Sequence, residues 1–162
     1  MILILHNVRS LHNVGSLLRT SDAAGVSKIY LSGITSAPTD ILGHPRSQIT
    51  KVSLGAENSI PWEKLGNSVS PQPLLKLVKQ LHEEKYVICA LEQSKTSTPY
   101  TKLSQIKNDK LALIVGNEVK GLSPSILKTV DYIVEIPMRG HKESLNVSVA
   151  AGIALFEAVR KL

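Results

Sequence analysis

The 162-residue chain has one cysteine, one phenylalanine and one tryptophan. A lone Cys89 rules out an internal disulfide or a cysteine-built metal site, and it fits a reducing cytoplasm. It lies within the apolar run Tyr86–Leu91, where it reads as a core residue rather than a catalytic thiol. So few large rings exclude a broad aromatic platform for single-stranded bases. No apolar run reaches transmembrane length, and the apolar start Met1-Ile-Leu-Ile-Leu meets polar His6-Asn7 too soon for an export signal. A cytoplasmic protein with no membrane partner is expected. His6, His12, His44, His82 and His141 form no His-x-x-x-His or Glu-x-x-His pair, so no metal site is expected. No Gly-x-Ser-x-Gly elbow marks a nucleophile.

What is present suits one folded domain spanning residues 1–162, since 43% of residues are hydrophobic and no linker or repeat divides them. Nineteen Lys and Arg against 13 Asp and Glu leave a formal charge of +6, which favours a polyanionic partner. Residues 1–5 predict a strand. Asn13 is placed to cap a helix running to about Ala24, with Val14, Leu17, Leu18, Ser21 and Ala24 on its inner face and Gly15, Arg19 and Asp22 on another. Gly25 stops that helix, and Lys28–Leu31 predicts a second strand. Residues 32–67 are irregular, with one short strand expected around Lys51–Leu54. A helix from Pro71 or Pro73 carries Leu74, Leu75, Leu77, Val78 and Leu81, followed by a strand over Tyr86–Leu91 and a polar connection. Leu111–Val115 is a buried strand, Ser123-Pro124 opens a short helix, and Tyr132–Ile136 is a strand. The final helix, from about Leu145 to Val159, is apolar around most of its circumference, so it must bury more than one side. Strands alternating with helices predict an α/β fold, a mostly parallel sheet flanked by helices.

Polar residues and glycines cluster at strand ends in three places. His6, Asn7, Arg9, His12, Asn13 and Arg19 flank the first strand-to-helix connection, a usual ligand site in parallel α/β proteins. Arg19 is placed either to grip phosphate with its donor fork or to pair locally with Asp22. Gly116–Gly121 follows a buried strand but has neither P-loop nor dinucleotide-fingerprint order. Gly116 lets a ligand approach the backbone, and Glu118 holds a cation or orients a donor, unless the segment is simply a tight turn. In Ile136–Ser148, backbone groups near Met138 and Leu145 are placed to bond an adenine while their side chains cover it. Ser144 or Asn146 serves as helix cap, yet Asn146 and Ser148 remain unusually polar for the head of a buried helix. Trp62 is expected to anchor its glycine-rich loop or join an interface.

Taken in order, three segments resemble the motifs of the TrmH/SpoU branch of the SPOUT RNA methyltransferases. They are Asn13-Val-Gly15-Ser-Leu-Leu-Arg19-Thr20, then Leu113-Ile-Val-Gly116-Asn117-Glu118-Val-Lys-Gly121. The third is Val134-Glu135-Ile136-Pro137-Met138-Arg-Gly140, continued by Ser144-Leu145-Asn146-Val147-Ser148-Val149-Ala150-Ala151. The resemblance implies a SPOUT fold with a C-terminal deep trefoil knot, a homodimer, and S-adenosyl-L-methionine as methyl donor to a ribose 2'-hydroxyl of RNA, tRNA ahead of rRNA. It implies Arg19 as the residue that activates the hydroxyl, often from the partner subunit, with Asn13, Glu118, Ser144 and Asn146 positioning substrate or keeping the pocket. It places Leu91, Gly116, Asn117, Gly121, Ile136, Met138, Ser144 and Leu145 in the cofactor cradle. No separate RNA-binding domain of the kind many relatives carry is expected. A non-catalytic RNA-binding or assembly homodimer that kept the fold is the competing expectation.

Overall fold

The structure is a computed structural model that describes residues 1–106 and 110–160. In chain order its elements are β1 (Ile2–His6), α1 (Leu11–Ala23), β2 (Lys28–Ser32), α2 (Ser47–Ser53), α3 (Ala56–Ser59), β3 (Trp62–Leu65) and α4 (Gln72–Glu83). There follow β4 (Val87–Leu91), β5 (Thr98–Pro99), α5 (Lys102–Gln105), β6 (Leu111–Val115), α6 (Pro124–Leu127), β7 (Tyr132–Glu135) and α7 (Val147–Val159). The strands form one sheet in the order β3-β2-β1-β6-β4-β7-β5, and every pairing is parallel. All strand C-termini therefore share one edge, and the order reverses between β1 and β6, where open α/β sheets place ligands.

Strand alternation sorts the core onto two faces. Ile29, Leu3, Leu113 and Cys89 stand in register across the sheet on the face covered by α1, α2, α5 and α7. Tyr30, Ile4, Ile114 and Ala90 form the matching row under α4 and α6. Burial, with the charge of Asp131 adding to it, pushes the Cys89 thiol up to about 12, as suits a core residue.

The α1 inner face is Val14, Leu17, Leu18 and Ser21, as its period predicts, and Gly25 ends it at φ +71°. Two expectations there are corrected. The cap is Ser10, whose hydroxyl accepts from the Asn13 backbone N–H, so Asn13 sits inside the first turn with its side chain free for other work. Gly15 is buried at the α1–α2 contact: a Cβ there would lie 2.7 Å from Ile49 O and 2.8 Å from Val52 Cβ. That close packing also explains why Lys51–Leu54 is not a strand. Ile49 and Ser53, four residues apart, bury one helical face against α1, and Leu54 closes the turn at φ +50°. The strands β3 and β5, four and two residues long, lie in stretches that read as irregular because edge strands this short leave little periodic signal. The α4 helix buries Leu74, Leu77, Val78 and Leu81 after a first turn carrying proline. The α7 helix starts two residues later than its apolar pattern predicts, because Asn146 caps it by accepting from Ser148 N–H at 2.8 Å. It buries Ala151, Ala154 and Leu155 against the core but leaves Val149, Ile153, Phe156 and Val159 in solvent. No helix among the described residues is long and apolar enough to cross a membrane.

Candidate active site

A cleft of about 310 Å³ opens at the strand C-termini, between the segments leaving β4, β6 and β7 and the approach to α7. The segment after β6 is folded tightly. The Asn117 carboxamide accepts from Val119 N–H at 3.0 Å and Lys120 N–H at 2.9 Å, and Gly121 N–H donates to Asn117 O at 2.9 Å. Gly116 is required by space and Gly121 by its backbone conformation. A Cβ on Gly116 would sit 2.8 Å from the Gly121 carbonyl carbon. Gly121, at φ +62°, would put a Cβ 2.2 Å from Glu92 Oε2. The Glu92 carboxylate is engaged by Leu122 N–H at 2.8 Å and Gln93 N–H at 3.0 Å, which fixes the β4 and β6 exits to each other.

Glu118 ties this loop to α1. Its carboxylate accepts from Arg9 N–H (3.0 Å), Ser10 N–H (3.1 Å) and the Asn13 side-chain amide (3.0 Å). Burial pushes the Glu118 carboxyl up, but these donors together outweigh it and hold the group below the usual carboxylate range. Asn13 Oδ1 in turn accepts from the Asn146 amide at 3.1 Å, and Asn146 Oδ1 accepts from the Ser148 hydroxyl at 2.6 Å as well as its N–H. One hydrogen-bonded chain, Glu118–Asn13–Asn146, thus joins the three sequence segments. Asn117 adds a second tie by donating to Asn7 O at 2.8 Å. Asn7 itself sits at φ +58° and donates to the buried His6 Nε2 at 3.0 Å, while His6 Nδ1 meets the Ser32 hydroxyl at 3.0 Å. Burial lowers the His6 imidazole from its ordinary value.

All eight residues expected in a cofactor cradle line the cleft: Leu91, Gly116, Asn117, Gly121, Ile136, Met138, Ser144 and Leu145. Glu118 lines it too, and Asn13 and Asn146 border it through the chain just described. Arg19 does not line it. It is exposed on the outward stripe of α1 with His12 and Ala23, and it makes no ion pair with Asp22 or any other described residue. Among the described residues no group of three His, Cys, Asp or Glu side chains is arranged for a metal. Sequence reasoning passed over Glu92, Gln93 and Glu143: Gln93 donates to Glu143 O at 2.7 Å and pins the approach to α7. The polar pair Glu92–Gln93 directly after an apolar strand carried the same signal as Gly116–Asn117.

The model of the SpoU rRNA methylase family matches residues 1–156. The 23S rRNA (guanosine-2'-O-)-methyltransferases RlmB of Vibrio vulnificus and Escherichia coli are each 35% identical, over 99% of this chain and 59% and 60% of their own lengths. The chain therefore spans about three-fifths of the curated relatives it matches. Among solved structures, the A. aeolicus TrmH/SpoU tRNA modifying enzyme is 33% identical with a TM-score of 0.79, over 99% of this chain and 74% of that one. The SpoU methyltransferase AviRb of Streptomyces viridochromogenes, in complex with AdoMet, is 27% identical with a TM-score of 0.77, over 99% of this chain and 59% of that one. With a family match over nearly its whole length, this chain belongs to the SpoU rRNA methylase family.

Proposed function

We propose that the chain is one SPOUT domain that transfers a methyl group from S-adenosyl-L-methionine to a ribose 2'-hydroxyl of tRNA or rRNA, working as a homodimer. The observation that carries this is the convergence of all eight cradle residues, from four separated segments, on one cleft. The cleft's chemistry fits the donor. Among the described residues no protein group bonds the backbone N–H or C=O of Met138 or Leu145, so main-chain donors and acceptors stand beside apolar side chains, as a purine requires. When bound, S-adenosyl-L-methionine supplies a methyl already activated on a sulfonium.

The chain's own residues do the rest. Gly116 and Gly121 keep the β6 loop close enough to form one wall. The Glu118–Asn13–Asn146 chain holds that wall, α1 and the α7 start at fixed spacing, the precision that in-line transfer demands. Arg19 is assigned to steady the negative charge that develops on the ribose oxygen and to grip the adjoining phosphate. Because it lies outside its own chain's cleft, it acts from a second copy. The surface for that copy is the exposed stripe of Val149, Ile153, Phe156 and Val159 on α7, which packs beside α1. The C-terminal knot is part of the same proposal. Its support is that the chain after β4 runs out to the sheet edge as β5, whereas the chain after β7 turns back to set α7 against α1 and β6.

The test is incubation with labelled donor and unmodified tRNA and rRNA, followed by digestion to nucleosides. A 2'-O-methylated nucleoside is expected, and its absence from every fraction overturns the proposal.

A further inference from the structure

A second cavity, of about 430 Å³, opens on the other half of the same sheet edge, beyond the ends of β2 and β3. Two cations line it, and neither forms an ion pair with a carboxylate of the described residues. Lys64 Nζ donates only to Gly33 O, and Arg46 Nε donates to Thr39 O at 3.3 Å. Asp40 stands at the rim, near enough for its charge to be felt by Arg46, while its oxygens are engaged by its own turn: Oδ1 accepts from Leu42 N–H at 2.8 Å and His44 N–H at 2.9 Å, and Oδ2 lies 3.4 Å from His44 Nδ1. Burial lowers the Lys64 ammonium from its ordinary value, the condition under which an incoming anion gains most. The rest of the lining mixes polar Thr35, Ser36, Thr39 and Asn67 with apolar Ile34, Ala37 and Trp62, whose indole N–H is anchored on Glu57 O at 3.2 Å.

One backbone segment ties the linings of the two cavities together. Residues 7–10 are held on one side by Asn117 and Glu118 and on the other by Thr35, whose hydroxyl receives Val8 N–H at 3.0 Å, and by Ile34 N–H, which donates to Asn7 Oδ1 at 3.0 Å. From β2 to β4 is three strand spacings, about 15 Å at about 4.8 Å each. A stacked strand rising about 3.4 Å per nucleotide covers that in roughly four nucleotides.

We propose that this second cavity takes a nucleotide of the substrate RNA a few positions from the methylated ribose, its phosphate on Lys64 and Arg46 and its base against Trp62, and so contributes to target choice. This rests on the RNA methyltransferase reading of the first cleft.

Trp62 is the only tryptophan of the chain, so tryptophan emission arises from the lining of this cavity. The full chain is titrated with total unmodified tRNA, and separately with total rRNA, while binding is read independently by electrophoretic shift. Saturable change in Trp62 emission in step with binding is expected with at least one of them. The Lys64→Gln/Arg46→Gln variant should bind RNA several-fold more weakly, its salt slope reduced by about 0.7 for each phosphate no longer held, with donor affinity unchanged. Unchanged Trp62 emission at RNA saturation, in protein that still binds donor and methylates RNA, overturns this inference and leaves the first cleft's function standing. Should the variant fail to fold, the wild-type titration decides alone. A wild-type chain that binds neither donor nor RNA overturns both proposals.

Discussion

Glu118→Gln separates a wall-holding carboxylate from a decorative one. Glu118 receives three hydrogen bonds, using both oxygens as acceptors. Glutamine keeps one acceptor and turns an NH₂ toward the Arg9 or Ser10 N–H, so at least one bond becomes a donor–donor contact. A hydrogen bond to a buried charged group is worth about 1.5–3 kcal/mol. Glu118 is largely exposed, and solvent screening brings the net loss for the variant to about 1.5 kcal/mol. In a domain of this size that corresponds to a melting point lower by about 3–6 °C at neutral pH. The pH dependence follows from the depressed native-state carboxyl. Its stabilisation is complete above the unfolded value of about 4.3 and disappears as pH falls through the lower native value, while glutamine does not titrate. Calorimetric melting at stepwise lower pH should therefore show the gap between wild type and variant closing in acid. Coincident melting at neutral pH, or a gap that acid leaves intact, refutes the clamp. Because Asn13→Ala removes one of the same bonds, the double variant should lose less than the sum of the singles.

Arg19→Ala should lower methyl transfer by about 10²-fold or more while donor binding by calorimetry stays the same; unimpaired turnover removes Arg19 from the chemistry. Phe156→Glu places a charge on the half-exposed outer stripe of α7 and should convert the proposed dimer to monomer in sedimentation velocity, with transfer falling in parallel. A dimer that persists moves the subunit contact elsewhere. Gly121→Ala combines φ +62° with a Cβ 2.2 Å from Glu92 Oε2, so it should cost about 1–3 kcal/mol and weaken donor binding. Gly43→Ala has a positive φ as well but meets nothing within 4 Å, and donor affinity should be unchanged there.

Much of the scaffold was legible because its signals are local. The strand Leu111–Val115 emerged with the bounds its apolar run predicts, and α1 buries the face its period marks. Most of the cleft lining was legible as well, because glycines and polar residues gather where the buried strands end, although Glu92, Gln93 and Glu143 were passed over. Residues whose partners lie elsewhere in the chain were not. Asn13 has the composition of a cap, and only its contact with a carboxylate 105 positions away and an amide 133 positions away shows that it bridges instead. Likewise α2 has just two buried side chains in seven residues, and its helical form depends on Gly15 letting α1 come close.

The amino-acid order by itself determined the α/β class, the buried strands and the three family segments, because periodicity and turn chemistry act over a few neighbouring residues. Tertiary structure alone decided that these segments meet. Parallel pairing in the order β3-β2-β1-β6-β4-β7-β5 delivers every strand C-terminus to one edge, and strand order is chosen by packing between residues far apart in the chain. It also decided that Arg19 lies outside its own cleft, a matter of which side of α1 faces solvent once α2 and α7 have covered the others.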